Sequence, residues 1–250
     1  MTSPSEPRTT SLYHAAPRGA VAVWLAGAGF VAIVLSQIVL GMVGASVDVM
    51  AGGSFVAAII MVVALARPMP GALGLRRVPV RFILAAVLVG GASWYLRLRL
   101  VELFPLRDDT KVLEQATVEP SLVTALIAVA VLPAIAEELI FRGVIARSLA
   151  RHSQVLAIAV SSILFALYHL IPIQMVAVFP FGVALAFIAV RADSIVPTMI
   201  AHAINNTIGI VIARGDVPCL AALDRHPQLA VAGSSGLVAL GLVLAWRIAP

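Results

Sequence analysis

Residues 134–150, AIAEELIFRGVIARSLA, place Glu137, Glu138 and Arg142 in a largely apolar segment, with a further arginine, Arg147, near its end. They follow PSLVTALIAVAVLPA (residues 120–134), which contains no charged residue. An ionised side chain at the centre of a transmembrane helix costs roughly 2.5–3.5 kcal/mol on insertion scales. Three such side chains in one apolar segment therefore require an explanation, either as paired groups or as a functional site.

The composition of the whole chain indicates an integral membrane protein. Of its 250 residues, 61% are hydrophobic and only 12% are charged, and the mean hydropathy is +1.05. A soluble domain carries about 25% charged residues. The net charge of +5 does not indicate nucleic-acid binding, because the arginines lie in short loops without a basic stripe. The single cysteine, Cys219, excludes an internal disulfide.

The hydropathy pattern predicts an all-α membrane protein, a bundle of about eight transmembrane helices. A spanning helix needs about 20 apolar residues. We expect one transmembrane domain at residues 19–250, preceded by a polar, disordered tail at residues 1–18. The predicted spans are residues 19–44, 49–66, 80–104, 119–150, 153–171, 173–190, 194–213 and 228–248.

The loop charges predict that both termini are cytoplasmic. With the N-terminus inside, ten basic residues fall on the cytoplasmic side and six on the opposite side, which agrees with the positive-inside rule. The chain has one lysine against sixteen arginines, a usage typical of a GC-rich bacterial genome. We therefore expect an integral protein of a bacterial cytoplasmic membrane, with the lipid bilayer as its surroundings.

The charged residues of the opening segment have different partners on their own helix. Glu138 and Arg142 are four residues apart with the acid first, the favourable order for a pair on one helix face. Glu137 points about 100° away from Glu138 and has Phe141 four residues later, so it has no helix partner. Pairing therefore explains Glu138 and Arg142 but leaves Glu137 unexplained.

Pro133 precedes these charges by one helical turn. It cannot donate a hydrogen bond to the carbonyl of Val129, which predicts a kink next to the glutamates. The alternative reading is that the charged cluster marks a helix end at the cytoplasmic surface.

The second block of interest is SSILFALYHLIP, residues 161–172, in which His169 follows Phe165 by four positions. A lone histidine at the end of an apolar run is usually an interfacial or hydrogen-bonded core residue. If the glutamate helix continues to about Arg151, however, Glu137 and His169 lie roughly 21 and 27 Å from that turn. Their side chains can then meet across an antiparallel helix hairpin.

The third block is MIAHAINNTIGI, residues 199–210, in which His202 and Asn206 share one helix face. Asn205 points elsewhere, and we interpret it as structural. Aligned histidine and asparagine side chains can join helices or can serve a site. A carboxylate, two imidazoles and an amide are together sufficient for a hydrolase that activates water and stabilises an oxyanion.

These three blocks resemble the motifs of the CPBP family, which comprises the type II CAAX prenyl proteases and the bacteriocin-processing or self-immunity proteins. The family pattern is a double glutamate followed by an arginine, then Phe-x-x-x-His, then His-x-x-x-Asn. The chain has EELIFR (137–142), FALYH (165–169) and HAINN (202–206) in that order. The resemblance covers about residues 115–215, which we interpret as the catalytic core.

The resemblance implies an intramembrane endopeptidase that cleaves near the C-terminus of a membrane-associated protein or peptide. Glu137 corresponds to the general base that activates water, and His169 corresponds to the histidine that positions this water. His202 and Asn206 correspond to the proposed oxyanion hole. A prenylated CAAX protein is the best-known substrate of the family, but a bacterial source favours a membrane or secreted peptide.

Two further assignments come with the resemblance. Glu138 and Arg142 correspond to the companion acid and its arginine, which would give electrostatic support or contact the peptide. Glu137, His169 and His202 would also suit a zinc site with three ligands and one open position. The chain has no H-E-x-x-H motif, and a glutamate-activated water uses the same residues. We therefore favour a mechanism without a metal, with Zn²⁺ as the alternative.

Two other functions compete with proteolysis. A proton-coupled transporter would also carry intramembrane glutamate, histidine and arginine. Transporters commonly show repeats in corresponding halves, whereas here the polar blocks all lie in the second half. A non-proteolytic member of the family that binds a membrane partner is the second alternative.

Overall fold

The computed structural model describes residues 15–104, 115–215 and 220–246. Most of the predicted tail, the polar segment at 105–114 and Cys219 lie outside these ranges. The described residues contain helices and no strand. The helices are α1 (Gly19–Met42), α2 (Val47–Ala66), α3 (Val80–Val101), α4 (Leu122–Ala150), α5 (Gln154–Tyr168), α6 (Pro172–Ala192), α7 (Val196–Ala213), α8 (Leu220–Arg225) and α9 (Pro227–Trp246).

The predicted all-α membrane architecture is confirmed. Within the described ranges, seven helices are long and apolar enough to cross a membrane, namely α1, α2, α3, α4, α6, α7 and α9. Helix α5 has 15 residues and is shorter than the predicted span of residues 153–171. It ends at Tyr168, and Leu170, two residues later, has a left-handed φ of 59° that a helix does not accommodate. At 1.5 Å per residue α5 is about 22 Å long, less than the ~30 Å hydrocarbon core.

Helix α4 is at the centre of the bundle and runs unbroken through the glutamates. In its most apolar stretch 56% of the residues are buried, close to the 61% of α6 and well above the 28% of α1 and 11% of α9. It packs against α1, α2, α5, α6 and α7. The alternative that Glu137 and Glu138 mark a helix end is therefore wrong.

Two segments of α4, Leu126–Val131 and Glu138–Ala146, have π-helical backbone. In a π-helix each N–H bonds to the carbonyl five residues earlier, which widens the turn; such segments are rare and are frequent at functional sites. The second segment begins at Glu138 and contains Arg142. The charged side chains thus project from an irregular part of the helix.

Helix α3 approaches α7 closely at one position. A Cβ atom added at Gly90 would collide with the backbone carbonyl of Ala201. Glycine is required at this position because it lets the two backbones come together. The close contact brings the C-terminal half of α3 alongside the polar residues of α7.

A largely buried ion-pair network at one end of the bundle involves the α2–α3 loop, α4 and the residue that follows α6. Asp193 accepts hydrogen bonds from Arg147 Nε at 2.8 Å and from Arg76 Nη1 at 2.6 Å. Arg147 also donates to the carbonyls of Gly71 and Ala72, at 3.2 and 2.7 Å, and its side chain is 0% exposed. These bonds fasten the α2–α3 loop to the ends of α4 and α6.

The start of α1 and the end of α9 lie at this same end of the bundle. Arg151, which follows α4, lies 3.5 Å from the carbonyl of Ala16, just before α1. Arg191 at the end of α6 donates to the carbonyl of Trp246, the last residue of α9, at 2.9 Å. Helix α1 therefore begins, and helix α9 ends, at the end of the bundle that carries Arg76, Arg147, Arg151 and Arg191, here called the arginine-rich end. The predicted topology, with both termini on one side of the membrane, requires this arrangement.

Replacing Asp193 with asparagine is expected to lower the free energy of unfolding by about 3–5 kcal/mol, because Arg147 would remain buried without its carboxylate. Asparagine tolerates the left-handed conformation at this position, where φ is 45°, so the substitution tests the charge. The measurement is thermal unfolding of the purified protein in detergent.

Glu102→Gln is the control for this variant, because it removes a more exposed carboxylate from an ion pair with Arg99. Exposed pairs contribute about 0–1 kcal/mol. Equal losses of stability in the two variants would contradict the conclusion that the buried ion pair of Asp193 with Arg147 stabilises the fold.

Candidate active site

The glutamate–arginine pair predicted on α4 is confirmed. Arg142 Nη1 donates to Glu138 Oε1 at 2.9 Å, and both side chains are 0% exposed. Arg142 Nη2 donates to the carbonyl of Gly182 on α6 at 3.0 Å, and its guanidinium carbon lies 4.2 Å from the centroid of the Phe165 ring. Because Arg142 is fully enclosed, its position favours electrostatic support over direct contact with a peptide.

His202 on α7 stands between the two glutamates. Its Nδ1 lies 3.1 Å from Glu138 Oε1, and its Nε2 lies 3.8 Å from Glu137 Oε2. A carboxylate oxygen accepts hydrogen bonds, so we assign a proton to Nδ1. In the neutral ring Nε2 is then an acceptor directed toward Glu137, and only the doubly protonated ring can donate from this atom.

Glu137 is buried but has no hydrogen-bond partner at its inner oxygen. The residue is 4% exposed, and no group of the described residues bonds to Oε2. The 3.8 Å separation from His202 Nε2 is too long for a hydrogen bond. Buried polar atoms are normally paired, and exceptions are frequent at reactive groups. Glu137 therefore has a carboxylate oxygen available for another molecule.

His169 lies one residue beyond α5 and is bound to its own helix. Its Nδ1 is 2.9 Å from the carbonyl of Phe165, so Nδ1 donates and Nε2 is unprotonated in the neutral ring. No described carboxylate pairs with His169, so the predicted meeting with Glu137 is not observed. The Phe165 ring lies between the two imidazoles, 5.1 Å from His169 and 5.7 Å from His202 between centroids.

Asn206 lies on the same face of α7 as His202 but bonds to the backbone of α4. Its amide nitrogen donates to the carbonyl of Val129 at 3.2 Å. Pro133 cannot supply a donor to this carbonyl, so Asn206 fills the gap that the sequence predicts. The second N–H of the Asn206 amide is not used in this bond and can serve another acceptor.

Asn205 points away from the glutamates toward α3, as predicted. Its amide nitrogen donates to the carbonyl of Gly90 at 3.3 Å, and its amide oxygen accepts from Arg97. The Arg97 guanidinium lies over the ring of Phe181, whose centroid is 5.8 Å from the guanidinium carbon. The same ring packs against His202, with centroids 5.9 Å apart.

The sequence indicated no role for Arg97; this residue and Arg99 only left the true length of the third predicted span uncertain. Helix α3 ends at Val101, within the predicted span of residues 80–104, and Arg97 lies inside the helix. One signal was available in the sequence. Arg99 has Glu102 three residues later, whereas no acidic residue lies three or four positions from Arg97.

The side chains do not fit a zinc site in this arrangement. No group of three histidine, cysteine, aspartate or glutamate side chains converges on one point within the described ranges. Glu137 and His202 are neighbours, but His202 Nδ1 faces Glu138 and His169 is bonded to Phe165.

Comparison with protein families supports the resemblance to the CPBP family. Residues 119–208 match the model of the type II CAAX prenyl endopeptidase Rce1-like family, which confirms the resemblance to the CPBP family. The matched segment extends from just before α4 into α7 and contains all six candidate residues. Comparisons with curated proteins and with solved structures found no match. At the family level the match supports an intramembrane CAAX-type protease.

The two glutamates are expected to differ sharply in their effect on stability. Glu138→Gln should lower the free energy of unfolding by about 3–5 kcal/mol, because Arg142 would become a buried charge without its carboxylate. Glu137→Gln should leave stability unchanged or raise it, because it removes a buried carboxylate whose inner oxygen has no partner.

Thermal unfolding of the two single variants in one detergent provides the comparison. The substitutions are chemically identical and adjacent in sequence, so each variant serves as the control for the other. If Glu137→Gln proved the more destabilising, the division between a paired and an available glutamate would be wrong.

Proposed function

We propose that the protein is an intramembrane endopeptidase that cleaves a peptide bond near the C-terminus of a membrane-associated protein or peptide. The observation that supports this proposal most strongly is the difference between the adjacent carboxylates. Glu138 is held through Oε1 by Arg142 and His202, although its Oε2 has no partner, while no described residue donates a hydrogen bond to Glu137. A carboxylate with an available oxygen beside an imidazole is suited to proton transfer.

In the proposed reaction Glu137 takes a proton from a water molecule, and the resulting hydroxide attacks the carbonyl carbon of the substrate. Collapse of the tetrahedral intermediate breaks the C–N bond, and the proton on Glu137 passes to the departing amine. His169 positions the water through Nε2, the nitrogen left free by its bond to the Phe165 carbonyl. No covalent intermediate with the protein is required.

His202 and Asn206 stabilise the oxyanion of this intermediate in the proposed reaction. Asn206 contributes the amide N–H that remains beside its bond to Val129. His202 donates from Nε2 when its ring is doubly protonated, and Glu138 supplies the counter-charge at Nδ1. Donors fixed in a water-poor interior stabilise a developing charge more strongly than they would in water.

The bundle is proposed to lie in a bacterial cytoplasmic membrane with its arginine-rich end in the cytoplasm. This orientation places both termini inside, in agreement with the loop charges. The substrate is proposed to be a membrane or secreted peptide, because the site lies within apolar helices. The proposed mechanism uses a water molecule activated by Glu137 and no metal ion.

Glu137→Gln is expected to reduce cleavage by a factor of about 10²–10⁴, the usual contribution of a general base. The measurement compares wild type and variant, purified in detergent, on a library of quenched-fluorescent peptides. Glu102→Gln is a matched control, since it makes the same change at an exposed acid at the end of α3. A chelator is added in parallel, and bound metal is quantified.

Cleavage by wild type and by Glu102→Gln, unaffected by the chelator, is the expected result. Equal cleavage by Glu137→Gln would exclude Glu137 as the base. Loss of activity with the chelator and its return with zinc would contradict the metal-free mechanism. A cellular phenotype that survives in Glu137→Gln would favour the non-proteolytic partner-binding protein.

A further inference from the structure

Arg97 is a cation beside the candidate site for which the described residues provide no carboxylate. Its hydrogen bond goes to the neutral amide oxygen of Asn205, and its guanidinium lies over the Phe181 ring. Its Nε is buried and has no hydrogen-bond partner among the described residues. Helix α3 lies before the segment that matches the family model, so the three family motifs do not include this residue.

The other arginines in comparable positions have acidic partners. Arg142 and Arg147, whose side chains are 0% exposed, pair with Glu138 and Asp193. Arg99, two residues after Arg97 on the same helix, pairs with two carboxylates, those of Glu102 and Asp224. A guanidinium without a counter-ion in an apolar bundle is costly. The missing negative charge at Arg97 is therefore one that a ligand can supply.

The neighbours of Arg97 fix its direction and leave donors free. Asn205 is held by its own bond to the carbonyl of Gly90, and it bonds to Nη1 of Arg97. A guanidinium has five N–H donors, so several remain after this bond. The planar fork of arginine binds a carboxylate through two parallel hydrogen bonds, a geometry that lysine does not reproduce.

The distance from Arg97 to the candidate site matches a short peptide. The Phe181 centroid lies 5.8 Å from the Arg97 guanidinium carbon and 5.9 Å from the His202 ring centroid, so these groups are within roughly 12 Å. An extended chain covers about 3.3–3.6 Å per residue, so no more than about three residues fit in this span. A carboxylate at Arg97 would thus belong to a residue close to the cleaved bond.

We propose that Arg97 is a specificity-determining residue that binds the free C-terminal carboxylate of the substrate. The proposal rests on the proposed peptidase function and gives a physical reason for cleavage near a C-terminus. The carboxylate of an acidic side chain has the same chemistry and is the other source that the experiment must distinguish.

The test uses three peptides of one cleavable sequence: a free C-terminal acid, a C-terminal amide, and an amide that carries aspartate as its last residue. Wild type is expected to cleave the acid about 10- to 100-fold more efficiently, in kcat/KM, than the plain amide, the range of a charge-assisted hydrogen bond. Arg97→Gln should lose this preference and cleave the acid and the amide with similar kcat/KM.

Arg99→Gln is the matched control, because it removes a guanidinium two residues away that has its own acidic partners. This variant should keep the wild-type preference for the acid. The thermal unfolding midpoint of Arg97→Gln in detergent is measured alongside that of wild type to show that this variant is folded. Cleavage of the aspartyl amide as efficiently as the acid would assign Arg97 to acidic side chains and overturn the C-terminal assignment.

A binding measurement separates failure of this inference from failure of the peptidase proposal. Fluorescence anisotropy is measured with labelled acid and amide peptides on Glu137→Gln, with and without Arg97→Gln. Tighter binding of the acid that disappears with Arg97→Gln supports the inference even if no peptide is cleaved. Equal affinity for acid and amide, or equal cleavage of both by wild type, would overturn it and leave the role of Glu137 intact.

Discussion

The candidate site depends on the buried ion pair between Glu138 and Arg142. Removing two charges from water is costly, and the attraction within the pair and its hydrogen bonds to neighbouring helices offset part of this cost. Arg142 reaches the Gly182 carbonyl on α6, and Glu138 faces His202 on α7, so one pair connects three helices. Glu138 is thus fixed by two donors, whereas no described residue donates a hydrogen bond to Glu137, which leaves Glu137 the less constrained carboxylate.

The rest of the bundle holds this arrangement in place. Phe165 packs on the Arg142 guanidinium and separates His169 from His202. Helix α4 is irregular near the site because of its π-helical turns. In this irregular part, the hydrogen bond from Asn206 to the α4 backbone joins α4 to α7. At the arginine-rich end, the Asp193 network fixes the helix ends. The polar groups are thus positioned by contacts between helices, as a preorganised site requires.

Features that depend on spacing along one helix could be predicted from the sequence. Helical geometry predicts both the pairing of Glu138 with Arg142 and the lack of a helix donor for the carbonyl of Val129. The position of His169 could not be predicted, because it depends on where α5 ends and how the chain turns there. Arg97 was missed because its partners lie on α6 and α7, and contacts between distant segments leave no periodic signal in a single sequence.

A double-mutant cycle tests most directly whether the two glutamates have separate roles. The free energies of unfolding would be measured for Glu138→Gln, Arg142→Gln and the double variant, and the same cycle would be repeated with Glu137→Gln in place of Glu138→Gln. The structure predicts a coupling energy of about 0.5–3 kcal/mol between Glu138 and Arg142, and a clearly smaller one for Glu137. Equal coupling, or stronger coupling at Glu137, would contradict the assignment of Glu138 as the paired carboxylate and Glu137 as the reactive one.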